Sequence, residues 1–220
     1  MTEAANLVNS AKGVSKIALW ILAIDAIKDG IKALIAWQFS VPNQPRDAQS
    51  ASVMPLIDLV LLVASGIMIL MWVFRTVKAA AAMSRVRFPY TPGMAVAYYF
   101  IPLLNIYRPF QMMMLTLNWS APAGKRISIL TKLVVWIWWL SWIVSGVFEF
   151  YSSPNADSIG IAVGSLISVL SALALIYIVR EMTRLQDGLL VEWERDANVS
   201  PPPVTGAAKY PRPQGQETTA

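Results

Sequence analysis

FPYTPGMAVAYYFIPLLNIYRPFQMMMLTLNW, residues 88–119, is the stretch that decides the fold. It is apolar enough for a membrane, but Pro102 and Pro109 divide it, because the residue before a proline is pushed out of the helical region. Thr91 followed by Pro92 predicts a helix start, with a capping residue ahead of a proline. Two helices of about ten residues are each about 15 Å long, roughly half of the hydrocarbon core. The stretch therefore fits a re-entrant hairpin or a pair of helices at the interface, with a proline-kinked spanning helix as the third alternative.

Composition places the chain in a membrane. Hydrophobic residues make up 56% and charged residues 14% of the sequence, whereas soluble proteins carry about 25% charged residues. Cys and His are absent, which excludes disulfide scaffolds, zinc sites, thiol nucleophiles and His-based acid/base pairs. The net charge of +5 is explained by the Lys and Arg bias of cytoplasmic loops, so we expect no nucleic-acid partner. No nucleophile elbow, phosphate-binding loop or dinucleotide fingerprint occurs, so we expect neither an enzyme nor a cofactor or metal.

Hydropathy and charge predict an all-α, polytopic membrane domain over residues 1–199 with four transmembrane helices. The predicted spans cover about 17–39, 55–74, 127–150 and 158–179. An amphipathic cytoplasmic helix is expected at about 180–196, and residues 200–220 have the composition of a disordered Pro-rich tail. If the hairpin at 88–119 returns to the side it left, fifteen of the 18 Lys and Arg lie inside. The positive-inside bias therefore favours four crossings with both termini in the cytoplasm.

The first span carries an unusual charged stripe. Asp25, Lys28, Asp29 and Lys32 are spaced to lie on one helical face, and each charge at mid-membrane costs roughly 2.5–3.5 kcal/mol. The stripe must pair internally, face the bundle or lie at the interface. Because Asp58 enters the second span from the outer side, we predict that it pairs with Lys32. Intramembrane charges mark ion or proton routes, whereas the structural alternative is a set of ion pairs along one helix.

Two further sets of residues are candidates for binding and packing. A guanidinium and two amides in the turn between short helices could hold a lipid phosphate or an acidic group of a partner; the set is Asn105, Tyr107, Arg108 and Gln111. The alternative is a structural turn in which the amides satisfy backbone groups freed by the prolines. Small residues at every fourth position of the fourth span predict a seam for close helix packing; they are Gly160, Gly164, Ser168 and Ala172.

The middle of the chain resembles a known family. The residues that carry the resemblance are Phe88, Pro92-Gly93-Met94-Ala95-Val96, Tyr98-Tyr99-Phe100-Ile101-Pro102, Asn105 and Tyr107-Arg108-Pro109-Phe110-Gln111. They resemble the PGWAVGWWFVP run and the following N-L-W-(K/R)-P-Y-Q segment of the bacterial family catalogued as domain of unknown function 4328. Met94 replaces the usual Trp, and Tyr98-Tyr99 stand for the paired Trp. The likeness covers about residues 55–187. It implies a multi-pass membrane protein and brings no catalytic assignment, while the charged first span departs from the plain apolar helix expected of the family.

These observations predict a multi-pass protein of the bacterial inner membrane. The expected function is a non-catalytic accessory that binds lipid headgroups or a membrane partner through the 88–119 hairpin; self-association is a further possibility. The alternative is a small transporter or ion-conducting subunit that uses the charged stripe of the first span.

Overall fold

The computed structural model describes residues 2–39, 54–84, 88–122, 124–152 and 158–199. All regular secondary structure among them is helical. In chain order the helices are α1 (Glu3–Phe39), α2 (Met54–Ala82), α3 (Pro92–Ala97), α4 (Pro102–Asn105), α5 (Arg108–Ser120), α6 (Ile129–Ser152) and α7 (Ser158–Val199). The predicted loop at 40–52 and the predicted tail at 200–220 lie outside the described residues.

Three of the described helices are long and apolar enough to cross a membrane. The qualifying stretches are Asp58–Ala82 in α2, Ile129–Phe148 in α6 and Ile159–Asp196 in α7. α1 has sufficient length, at 37 residues, but its central charges keep it outside this set. The chain is therefore an all-helical protein with three membrane-compatible helices.

The long helices run antiparallel in sequence order. Near one end, Arg75 of α2 donates to the Ser10 hydroxyl of α1 at 2.7 Å. Near the other end, Lys28 of α1 lies 3.1 Å from Asp58 of α2. α6 and α7 are likewise antiparallel, because Thr131 contacts Tyr177 close to the start of α6 and Phe148 approaches Gly164 close to its end.

α7 is the central helix of the bundle and is much longer than a membrane span. Its 42 residues give about 63 Å at 1.5 Å per residue, about twice the hydrocarbon thickness. A single continuous helix thus covers both the fourth predicted span and the amphipathic helix predicted at about 180–196. Beyond Arg180 it packs on the first turns of α1 in a second apolar cluster, which is why α1 begins at Glu3 and not near residue 17.

Residues 88–122 form three short helices of 6, 4 and 13 residues. α5 fits into the groove between α2, α6 and α7 and buries one face there. The buried positions are Pro109, Met112, Met113, Thr116, Leu117 and Ser120. Their spacing of three and four residues is that of a single helical stripe.

The four long helices form an open row and not a closed bundle. α2 packs on α1, α1 on α7, and α7 on α6. Within the described residues α2 and α6 share no substantial contact; α5 contacts both, and α7, which packs on α6, touches α2 only slightly. At the end where α5 sits, the core is continuous from Trp72 to Trp139.

Candidate functional site

The prolines shape the hairpin locally in the way that the sequence predicts. Thr91 has an extended backbone and its hydroxyl accepts from the Met94 amide at 3.2 Å, so that it caps α3, with Pro92 in the first turn. Ile101 is extended ahead of Pro102, which opens α4. Pro109 sits in the first turn of α5. Each break therefore follows from the missing amide hydrogen and fixed φ of proline.

These breaks place the Arg108 side chain among three tyrosines. Its Nη1 donates to the Tyr90 hydroxyl at 3.0 Å and to Oε1 of Gln111 at 3.4 Å. The guanidinium carbon lies 5.5 Å from the ring centroid of Tyr98 and 5.2 Å from that of Tyr107. Both distances are in the range of cation–π attraction. We call Arg108 with these three tyrosines the arginine site.

The arginine site holds a positive charge with neutral partners. Within the residues that the structure describes, no carboxylate lies within ion-pair distance of Arg108. Its Nε and the Oδ1 atom of Asn105 are buried without hydrogen-bond partners. Because arginine stays protonated at any physiological pH, the site keeps a full positive charge that aromatic faces and a hydroxyl stabilise but do not neutralise. An anion is the ligand that such a site attracts.

Below the arginine site, α5 encloses a small cavity against α2 and α7. The cavity has a volume of about 10 Å³ and its lining includes Trp72, Val73, Tyr99, Pro109 and Met182, so it has room for about one water molecule. Burial raises the pKa of the Tyr99 phenol, which therefore stays neutral at physiological pH.

The charged stripe of α1 forms a compact cluster centred on Lys28. The Lys28 ammonium lies 3.1 Å from Asp58, 3.2 Å from Asp29 and 3.7 Å from Asp25. The predicted contact of Lys32 with Asp58 is present at 3.8 Å. Lys28 is nevertheless the closer partner of Asp58, because it lies one turn nearer the middle of α1. Three carboxylates and two ammonium groups leave the cluster with one negative charge in excess.

The predicted small-residue seam of α7 is only half-buried. A Cβ built on Gly164 would lie 3.6 Å from the Cβ of Phe148, which is an ordinary helix contact with α6. Ser168 and Ala172 follow at the same four-residue spacing and are likewise half-buried. The seam therefore contacts α6 at Gly164.

Nothing among the described residues indicates a metal site. No group of three or more Asp or Glu side chains with the geometry to hold an ion occurs there.

Comparison with known families identifies the chain. The model of a family described as domain of unknown function (DUF4328) matches residues 46–184. The protein belongs to the DUF4328 family. Neither the curated proteins nor the solved structures yield a significant match.

The DUF4328 match confirms the resemblance drawn from the hairpin motif. The matched residues contain the entire arginine site and Asp58, whereas the four charges of α1 lie outside them. The arginine site is therefore part of the family region, and the Lys28 cluster joins that region to a helix that precedes it.

Sequence reasoning missed part of the site in this DUF4328 member. Tyr90 and Tyr98 were not among the predicted binding residues, although Tyr98 belongs to the motif that carries the resemblance. The proximity of Tyr90 to Arg108, 18 positions along the chain, depends on the packing of α3 against α2. Gln186 was also missed: its buried amide donates to the Thr76 carbonyl at 2.9 Å and to the Ser120 hydroxyl at 3.3 Å, joining α7 to α2 and α5.

Proposed function

We propose that this protein is a non-catalytic, four-span protein of the bacterial inner membrane that binds phosphate-bearing lipid headgroups at the arginine site. Both termini lie in the cytoplasm in this proposal, and the 88–119 hairpin rests on the cytoplasmic leaflet. The observation that carries it is the guanidinium of Arg108, which is surrounded by neutral groups and faces no carboxylate among the described residues.

The exposed surface of α1 supports a fourth span. Large apolar side chains form one exposed stripe along the helix: Ile17, Trp20, Ile24, Ile27, Ile31 and Leu34. The stripe is about 26 Å long at 1.5 Å per residue, close to the thickness of the hydrocarbon core. It is centred about 120° around the helix from the four charges, which instead approach α2. A helix with this division can face lipid with one side and keep its ion pairs on the other.

The distribution of basic residues supports the orientation. Arg75 lies in the last two turns of α2 and Lys132 in the first turn of α6, and Arg180 lies near the middle of α7, directly after the predicted span 158–179. Lys12 and Lys16 lie at the same level of α1, because Lys12 pairs with Asp187 of α7. Arg46 is the basic residue expected at the opposite end. The positive-inside bias assigns the basic end to the cytoplasm.

The level of the hairpin supports contact with headgroups. Phe110 packs 4.3 Å from Trp136, which is seven residues or about 10 Å into α6. The tip between α3 and α5 exposes Phe100 and Leu103 by 70% and 79%. An apolar tip of this kind enters the acyl boundary, and Arg108 beside it then lies where phosphates are found.

The test is retention of phosphatidylglycerol by the full chain purified in mild detergent, counted by native mass spectrometry. An arginine–phosphate contact is worth about 1.5–3 kcal/mol, so Arg108→Gln should lower retention about tenfold. Arg184→Gln is the matched control, because that exposed guanidinium is already paired with Glu181 at 2.6 Å. Equal retention by Arg108→Gln and the wild type contradicts the proposal.

Topology is tested separately by single-cysteine labelling, which needs no background removal because the chain contains no Cys. Gln38→Cys should react from the periplasm and Lys125→Cys from the cytoplasm. Cytoplasmic labelling at residue 38 would mean that α1 does not cross.

The excess negative charge of the Lys28 cluster favours a second candidate function, a small transporter or ion-conducting subunit. Asp25→Asn and Asp58→Asn would then abolish ion flux in proteoliposomes and leave phosphatidylglycerol retention intact. Flux that survives both changes removes this candidate.

A further inference from the structure

The gap between α2 and α6 is bridged at one end by the first turn of α5. On the α2 side, Pro109 and Val73 line the same cavity. On the α6 side, the ring of Phe110 lies 6.4 Å from that of Trp139. An α-helix with its side chains is about 10 Å across. Because α5 fits between α2 and α6, the space between these two helices is about one helix diameter wide at this level.

The walls of the gap are uncovered two turns deeper. Gly66 lies seven residues from Val73 on the same face of α2, and Gly146 lies seven residues from Trp139 on the same face of α6. A Cβ added at either glycine would meet nothing within 4 Å. Trp142, one turn from Trp139, is partly exposed as well. At the level of Val73 and Trp139, α5 covers one face of α2 and one face of α6. Seven residues farther along each helix, at Gly66 and Gly146, the same two faces are open among the described residues.

We propose that this gap, which we call the lateral cleft, holds the acyl chains of one phospholipid whose phosphate binds Arg108. The inference rests on the proposed function and specifies how the lipid is held. Two features identify a phospholipid as the occupant and not a transmembrane helix. The cleft walls carry aliphatic, aromatic and glycine residues. At the end that α5 closes, Arg108 directly precedes Pro109 and Phe110 and has only neutral hydrogen-bond partners among the described residues.

The arrangement separates this lipid from the surrounding annular lipid. A lipid on the outer face of α1 or α7 contacts one apolar stripe and exposed cations such as Lys16 and Arg180, which no aromatic rings hold in place as they hold Arg108. A lipid in the lateral cleft contacts two helix walls along its chains and a guanidinium at its headgroup. It should therefore survive detergent extraction that removes the others.

The test fills the cleft without touching the headgroup site. Gly66→Phe combined with Gly146→Phe places a ring on each wall. The matched control is Val60→Phe combined with Val144→Phe, which adds rings to exposed positions turned away from the cleft, about 120° around α2 from Gly66 and about 160° around α6 from Gly146. Phosphatidylglycerol is the probe, and bound lipid is counted by native mass spectrometry after exchange into mild detergent. We expect the cleft variant to retain about tenfold less lipid, which corresponds to about 1.4 kcal/mol, and the control to match the wild type.

The outcomes distinguish this inference from the proposed function. If Arg108→Gln loses the lipid and the cleft variant retains it, the headgroup site stands and the cleft is refuted. If neither change alters retention, both are refuted. If the wild type is a dimer in detergent and the cleft variant a monomer with unchanged lipid, the cleft holds a second copy of the chain and the inference is wrong.

A measurement on the unmodified chain covers the case in which the cleft variant does not fold. Phosphatidylglycerol with a photoreactive diazirine in mid-chain is added at a substoichiometric amount, and the cross-linked peptides are sequenced. Labelling concentrated on Leu59, Leu62 and Gly66 of α2 and on Trp142 and Gly146 of α6 supports the cleft, because these positions share the cleft faces of the two helices. Labelling spread over the exposed stripes of α1 and α7 overturns it.

Discussion

Replacing Lys28 by methionine should be far more harmful than replacing Lys32, because Lys28 is the centre of the charged cluster. Lys28 contacts three carboxylates between 3.1 and 3.7 Å, whereas Lys32 contacts one at 3.8 Å and its side chain is 47% exposed. Either replacement raises the excess of negative charge from one to two, but only Lys28 contacts all three carboxylates, so its loss leaves Asp25 and Asp29 without an ammonium partner in the cluster. If α1 crosses the membrane as proposed, a carboxylate left uncompensated there costs about 3 kcal/mol, whereas loss of the more exposed Lys32 contact costs at most about 1 kcal/mol.

The same reasoning predicts that replacing Asp58 is less harmful than replacing Lys28. Asp58→Asn removes the excess charge and leaves Lys28 paired with Asp25 and Asp29, so we expect a change below about 1 kcal/mol. Added to Lys28→Met, it should recover part of the lost stability. The assay is the free energy of unfolding in a detergent titration, with the single and double variants forming a thermodynamic cycle. The reasoning is refuted if Asp58→Asn is more harmful than Lys28→Met, or if Lys28→Met and Lys32→Met are equivalent.

Four further changes test the packing where α1 meets the end of α7 and the packing of residues 88–122. Gln186→Leu should cost about 1–3 kcal/mol of unfolding free energy, because the side chain is 2% exposed and its amide bonds to α2 and α5; a variant as stable as the wild type contradicts the contact. Gly13→Ala should stabilise by about 0.5–1 kcal/mol, since a Cβ there meets nothing. The same change at Gly188 should gain less, because its Cβ would lie 3.3 Å from a proline ring; equal gains would refute the close approach. Thr91→Ala should remove the cap of α3, which costs about 1 kcal/mol, and faster hydrogen exchange of the Met94 amide is the measurement.

The proline breaks could be predicted because proline acts on its immediate neighbours. The capping by Thr91 and the extended Ile101 need no information beyond two or three adjacent residues. The length of α1 could not be predicted in this way. Its first four turns are stabilised by packing on the distant end of α7 and by the ion pair of Lys12 with Asp187 at 2.6 Å, which are contacts between opposite ends of the chain.

Gly188 shows how a correct local rule gives an incomplete prediction. Glycine weakens a helix interior by roughly 1 kcal/mol, so Gly188 lowers the helix propensity of the amphipathic segment predicted at about 180–196. In the structure α7 passes through Gly188 without interruption, and the ring of Pro122 occupies the space beside it. The glycine permits the close approach of the segment that leaves α5, so its cost to the helix is offset by packing that the local sequence does not reveal.

The hairpin and the opening between α2 and α6 have a common cause. α5 is seated between the two helices by its buried stripe, and Phe110 and Pro109 contact opposite walls. Because helices in contact stand 8–10 Å apart, α2 and α6 cannot meet at this end unless α5 leaves the groove. Pro102 opens α4 and Pro109 lies in the first turn of α5, and the breaks before them allow the chain to turn and insert α5 there; the same turn brings Arg108 to the three tyrosines. The unpaired cation and the gap beside it are therefore two consequences of one folding feature, which is why a ligand with a phosphate at one end and apolar chains at the other matches both.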